Sequence, residues 1–337
     1  MTEPHLAWSP AHGIESIWPA WREHIGLAGP WPAQDLGTAL LNRFCRGVWI
    51  EDPDSWSTPR GPMLFLANHQ VAVESVLLVM AVSPMLGAMP LHAISKPEHA
   101  NSWVGQFIDT MFSWPGARGP ELLFYYRAGD APAMQGLIKQ IKTALTEQPR
   151  GLLVHVAGSR VLSCRDRVRT ISGVFTDLAL VLGCPIVPVK FRGGLPVEPL
   201  EGFIDFPVGY GAMDCLLGRP IEAAELAALP PRQRRALVLD RINGLGGPLE
   251  AEIPCRPDPA FKAAMRGFMD RFGVLEPAMA TIWAALARLP QPSPEIALAL
   301  RGIEEGRLEV ADTPEGLWIA ALVRWLTEGR MPVRVAG

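Results

Sequence analysis

The chain has 337 residues, of which 49% are hydrophobic and 19% charged. That is enough apolar material for a sizeable core and too much for a disordered protein. A formal net charge of −3 argues against a nucleic-acid binder dominated by phosphate contacts. The five cysteines (Cys45, Cys164, Cys184, Cys215 and Cys255) form no CxxC pair, which argues against a disulfide framework or a zinc site and fits a reducing compartment.

Mean hydropathy is +0.16 and there are 11 Trp. Two readings stay open: a protein that handles apolar ligands or touches a membrane surface, or simply a well-filled core. The N-terminus, rich in Pro and Trp with early acids, lacks a basic segment followed by an apolar core, so no signal peptide is expected. The longest uncharged stretch, 75–95, is interrupted by Pro84, Gly87, Pro90 and His92 and reads as helix, turn and strand rather than a membrane span.

In chain order, the spacing of Leu36, Leu40, Leu41 and Phe44 predicts a helix from Asp35 to Cys45, and 47–52 a first strand. Residues 62–80, PMLFLANHQVAVESVLLVM, then organise the chain. Met63–Ala67 is a buried-strand run. Asn68 ends it, His69 follows at once, and Glu74 stands five positions on, where a helical apolar pattern begins. This places an imidazole in the loop at the carboxyl end of a strand, where open α/β sheets bind ligands. A carboxylate folded back onto that imidazole makes a base suited to neutral pH.

Further strands are predicted at 91–94, 122–126, 152–156 and 186–191, with helices at 102–112, from Asp130 to Leu145, and at 172–182. Strands alternating with helices indicate βαβ units and a largely parallel sheet. Successive strands end in His69, Lys96, Arg127, Gly158-Ser159-Arg160 and Arg192-Gly193-Gly194. Parallel pairing would bring those ends to one edge, placing a base among cations suited to an anionic substrate. Residues 197–250 are less regular: a strand or hairpin, then helices at 223–229 and 232–242. The basic run Arg232, Arg234, Arg235 reads as a solvated helix face or, less simply, as a membrane-surface contact. Helical patterns begin at Asp258-Pro259, Pro277, Pro294 and Thr313-Pro314. The expected division is a helical lead-in over 1–60, an α/β domain over 61–250 and a helical appendage over 251–337.

Four blocks in register now resemble the PlsC-type glycerolipid acyltransferases. NHQVAVES (68–75) resembles the HX4D block, here an HX4E variant. SKPEH (95–99) stands where that family has a Lys-containing segment. FYYRAGD (124–130) resembles the second block, VAGSR (156–160) the EGTR block, and PIVPVKF (185–191) the fourth. The closer likeness is to a bacterial branch with NHQ-x-x-x-ES and an FPVG segment at 206–209. The resemblance spans 62–195. It implies a mostly parallel sheet flanked by helices and the transfer of an acyl group from acyl-CoA or acyl-carrier protein to a hydroxyl, with no metal or other cofactor. His69 would be the base and Glu74 its partner. Lys96, Arg127, Gly158, Ser159 and Arg160 would form the acceptor or phosphate site. The implied partners are the acyl donor, a lipid or small hydroxyl acceptor and a membrane surface, without nucleic acid. The implied location is cytoplasmic or peripheral on the inner face of the membrane. Ala157 departs from the Glu of EGTR and Ser159 from its Thr, so an alanine stands where a hydrogen-bonding carboxylate is expected. This weakens glycerol 3-phosphate or lysophosphatidate as acceptor. Two alternatives follow: a thioester hydrolase on the same site, or a non-catalytic acyl-lipid or carrier-binding protein.

Overall fold

Strand β3, Met63–Ala67, is buried at all five positions in the computed structural model, and its alternation explains the layout of the molecule. Met63, Phe65 and Ala67 belong to one apolar core, while Leu64 and Leu66 belong to another on the opposite face. Side chains of a strand alternate between faces, so a strand with no polar position must be covered on both. The structure describes residues 4–56, 61–86, 91–126, 131–147, 151–207 and 211–337.

The other strands of the main sheet are β1 (His5–Trp8), β2 (Cys45–Ile50), β4 (His92–Ser95), β5 (Leu123–Tyr125), β6 (Gly151–His155), β7 (Ile186–Arg192) and β8 (Met213–Leu217). They pair in the order β1-β2-β8-β7-β3-β6-β4-β5. The five strands from β7 to β5 are mutually parallel. β8 is antiparallel to β7 and β1 to β2, while β2 and β8 are parallel. The fold is therefore α/β with a mostly parallel sheet.

The helices are α1 (Pro10–Gly13), α2 (Trp18–His24), α3 (Gln34–Phe44), α4 (Val73–Ala81), α5 (Trp103–Phe112), α6 (Ala131–Glu147), α7 (Gly173–Leu182), α8 (Ala223–Ala227) and α9 (Pro231–Gly244). Leu36 and Leu40 of α3, Leu77 and Leu78 of α4, and Phe107 and Met111 of α5 cover one face. Leu137 and Ile141 of α6, Leu178 of α7, and Val238 and Ile242 of α9 cover the other. Three of the tryptophans that suggested apolar ligands, Trp18, Trp21 and Trp31, are buried here as core. Trp31 donates its indole N–H to the Met111 carbonyl, and Trp21 stacks on Phe112.

Two regions differ from expectation. The first sixty residues are more than a helical lead-in, because β1 and β2 extend the main sheet through β8. The C-terminal region holds α10 (Pro259–Phe272), α11 (Pro277–Leu286), α12 (Pro294–Glu305) and α13 (Pro314–Leu326). It also holds two short parallel strands, β9 (Leu308–Ala311) and β10 (Val333–Ala336). At four residues each they are at the lower limit for reading a period, although Leu308 and Val310 of β9 do alternate as buried positions with exposed Glu309 and Ala311. Nor is this region separate in its packing: Phe261, Ile282 and Leu322 share one core with Leu36 and Phe107. Arg43 pairs with Asp258 at 2.9 Å, and the indoles of Trp318 and Trp325 donate to the Thr110 carbonyl and to Gln106.

Candidate functional site

The site is built where β3 stops. Its first residue beyond the strand, Asn68, extends the sheet with a side chain. The amide Nδ2 donates to the Phe191 carbonyl at 2.9 Å, and Oδ1 accepts the Phe191 N–H at 2.7 Å. Asn68 thus adds a side-chain step toward β7 beyond its own N–H, which still reaches the Val189 carbonyl, while its carbonyl turns to His155. Gln70, 1% exposed, anchors the far side of the turn by accepting the Gly194 N–H at 3.0 Å. Between these two anchors the carbonyl of His69 accepts the Val161 N–H at 2.9 Å. The histidine backbone is therefore held from both neighbouring strand ends.

Glu74, 0% exposed, lies in the first turn of α4. The extra methylene relative to aspartate lets it reach back across the turn. Its carboxylate accepts the backbone N–H groups of Gln70 and Val71 and meets Nδ1 of His69 at 2.5 Å. Nε2 of His69 makes no hydrogen bond with the described residues. Burial pushes Glu74 up to about 8 against the pull of His155 and of the two backbone N–H groups. It pushes His69 down to about 3, with Arg160, His99 and Lys96 adding repulsion. Near neutrality the pair is therefore uncharged overall, with one proton between Nδ1 and Oε1.

A histidine that sequence reasoning missed completes the cluster. In the register of β3 with β6, Ala67 stands opposite His155, so the last residue of β6 lies beside the loop that carries His69. The two rings stack, with centroids 3.8 Å apart and planes at 20°. His155 Nδ1 faces the Asn68 carbonyl at 2.6 Å and Nε2 faces Ser75 Oγ at 2.7 Å. A carbonyl only accepts, so Nδ1 carries the proton and Nε2 accepts from the serine hydroxyl. Burial, then the neighbouring His69, pushes His155 down to about 3. The one signal in the sequence was a polar residue closing an apolar strand just before Gly158-Ser159-Arg160.

His69, Ser75 and His155 line a cavity of about 370 Å³ together with Ser95, Lys96 and His99. Its walls are otherwise largely apolar, with Ile94, Leu123, Met134, Val154, Val156 and Phe175. A second, small and almost wholly apolar pocket of about 50 Å³ adjoins it between α4, α5 and β4. The two share Ser75, Ala93, Val104 and Leu123, and the second continues to Val79, Phe107 and Met111.

The sequence-predicted residues divide. Lys96 is exposed and lines the cavity, as does Gly158, whose φ of +69° suits a glycine turn after β6. Ser159 is exposed and does not line the cavity. Arg160 does not line it either. Its Nη1 is bound to Asp205 at 2.6 Å and to the Ile204 carbonyl at 2.8 Å, and the guanidinium lies over Phe203. Its remaining donors meet no described residue, and it is close enough to depress His69. Arg127 lies outside the described residues, as does part of the 206–209 segment. Arg192, expected at the same edge, pairs with Asp214, which also binds Arg46, and takes no part in the cavity. Among the described residues, His69, Glu74 and His155 offer ligand atoms within 4.8 Å of one another, close enough to hold a metal ion. The Nδ1 atoms that face Glu74 are used in hydrogen bonds.

No protein-family model matches the chain. Over 186 residues it is 28% identical to the lyso-ornithine lipid O-acyltransferase of Pseudomonas aeruginosa. The match covers 54% of this chain and 64% of that relative, so the chain spans less than two thirds of the relative's length. The chain thus has a distant relative that acylates a lipid. No helix among the described residues is long and apolar enough to cross a membrane.

Proposed function

We propose that the protein is an acyltransferase that moves a fatty acyl group from a thioester, acyl-CoA or acyl-carrier protein, to a hydroxyl of a lipid or phosphorylated acceptor. The observation that carries this reading is the His69–Glu74 contact opening on an apolar-walled cavity. Once Glu74 is ionised, it accepts Nδ1–H of His69 and leaves Nε2 as the base. Nε2 takes the proton of the acceptor hydroxyl, whose oxygen attacks the thioester carbonyl. The thiolate leaves and takes up the proton. The apolar walls of the 370 Å³ cavity suit an acyl chain.

Lys96, His99 and Arg160 all lower the affinity of His69 for a proton. An anionic acceptor group among them would offset that field and raise the basicity of His69 as it binds. This supports an acceptor with phosphate, carboxylate or a similar charge, and gives Lys96 and the unused donors of Arg160 a binding role, with Arg127, Gly158 and Ser159 proposed at its edge. The lipid named for the relative is consistent with a lipid acceptor here. The protein would work in the cytoplasm or at the membrane surface.

The test is to incubate the purified chain with labelled acyl-CoA, or acyl-carrier protein, and a total lipid extract. Label should enter a lipid with wild type and be lost with His69→Ala. Near wild-type transfer by that variant would end the reading.

A further inference from the structure

Acyl transfer as described uses one histidine and its acid. The cavity contains a second unit that it leaves idle. Ser75 Oγ lies 2.7 Å from Nε2 of His155, and Nδ1 of His155 is held by the Asn68 carbonyl at 2.6 Å. Oε1 of Glu74 is 3.5 Å from the same Nδ1. A hydroxyl, an imidazole in the accepting tautomer, and a carbonyl and acid behind it are the parts by which an activated serine is recognised, whatever the fold. Ser75 is also the third residue of α4, at the positive end of a helix that follows a strand and a turn. That placement favours a developing alkoxide or oxyanion.

Position adds a second argument. Ser75 lines both the polar-mouthed cavity and the apolar pocket. The apolar walls of the larger cavity can hold an acyl chain with its carbonyl at the shared residues, where Ser75 carries the hydroxyl. His69, stacked on His155, faces the same cavity.

We propose that Ser75 is a nucleophile activated by His155, and that the acyl group rests on it as an ester before passing to the acceptor, so that two displacements replace the direct attack on the thioester described above while donor, acceptor and product stay the same. This rests on the acyl-transfer reading of the site. In the first step Oγ bonds to the thioester carbonyl carbon and its proton moves to Nε2 of His155. The C–S bond breaks, and the sulfur takes that proton and leaves as a thiol. In the second step the acceptor oxygen attacks the serine ester and His69 removes its proton. Oγ regains a proton as its C–O bond breaks, so donor and acceptor are the only reactants consumed.

The experiment uses the full chain with a p-nitrophenyl ester of a medium-chain fatty acid, which bypasses recognition of CoA or carrier protein. His69→Phe keeps an aromatic ring on His155 and removes the second-step base. This variant should release a burst of about one equivalent of p-nitrophenolate and carry the acyl mass on the peptide that contains Ser75. Ser75→Ala should show neither, and His155→Ala should slow the burst by roughly 100-fold or more. Ser75→Cys should restore the adduct as a hydroxylamine-labile thioester, separating chemistry from folding. Absence of acyl mass on Ser75 in His69→Phe, or wild-type turnover by Ser75→Ala, overturns the proposal. If wild type still acylates lipid in that case, the acyl-transfer reading stands without it. If the adduct forms but no lipid is ever acylated, Ser75 is a nucleophile and the transfer reading falls.

Discussion

His69 and His155 face each other ring to ring, 3.8 Å between centroids, and both lie within reach of the single carboxylate of Glu74. Two imidazoles so close cannot both be charged without strong repulsion, and burial disfavours charge on either. Glu74 therefore decides where protons reside in this cluster, and its ionisation state governs the site.

Glu74→Gln should remove most activity without unfolding the protein. The amide oxygen would accept the Gln70 and Val71 N–H groups in place of the carboxylate, turning the NH2 toward Nδ1 of His69. That donor forces the proton onto Nε2, the wrong tautomer for a base. By analogy with other histidine–acid pairs, kcat should fall by about 10⁴-fold. Circular dichroism should be unchanged while steady-state transfer collapses.

The rate should climb with pH. Below the value of about 8 at which Glu74 ionises, its proton occupies the Oε1–Nδ1 contact and the Nε2 lone pair is lost. The profile of kcat/KM should rise as one proton is removed, with an apparent midpoint near 8 in the free enzyme. An anionic acceptor that stabilises the imidazolium should move the kcat profile. A flat profile from pH 6 to 9 would contradict this assignment.

Stability should peak near pH 6.5. His69 and His155 have folded values of about 3, below their ordinary 6.5. Their contribution is present above 6.5 and lost as pH falls toward 3. Glu74 is raised from 4.5 to about 8, so its contribution is full below 4.5 and lost as pH rises to 8. Between 4.5 and 6.5 the two histidines outweigh the one carboxyl, and above 6.5 only the carboxyl acts. Urea midpoints should trace this dome, and Glu74→Gln should flatten its alkaline side.

Asn68→Ala should cost about 1–3 kcal/mol of stability, because it strands the buried N–H and carbonyl of Phe191 that the amide satisfies. Urea unfolding measures this directly. Activity of the folded fraction should also fall, since the turn that carries His69 loses its side-chain tie to β7.

Val104→Phe should shorten the preferred acyl chain. Val104 sits where the cavity and the apolar pocket meet, and a phenyl ring there takes up part of the cavity that holds the chain. Selectivity for short over long acyl donors, measured as a ratio of kcat/KM, should rise by at least about tenfold.

Much of this was determined by local sequence. A fully apolar strand needs cover on both faces, so Met63–Ala67 had to lie inside a layered sheet. A helix begun four residues after His69 leaves Glu74 close enough to fold back. Such relations depend on a few consecutive residues and are set by strand and helix geometry. What the sequence could not show is which distant segments are neighbours. Strand order and register put His155 opposite Ala67, 88 positions away, and so created both the ring stack and the contact with Ser75. The same long-range pairing turned Arg160 toward Asp205 and Arg192 toward Asp214, because a partly buried guanidinium takes the nearest carboxylate that folding supplies. A side chain's class can be read along the chain, whereas its partner depends on which strand is laid beside it.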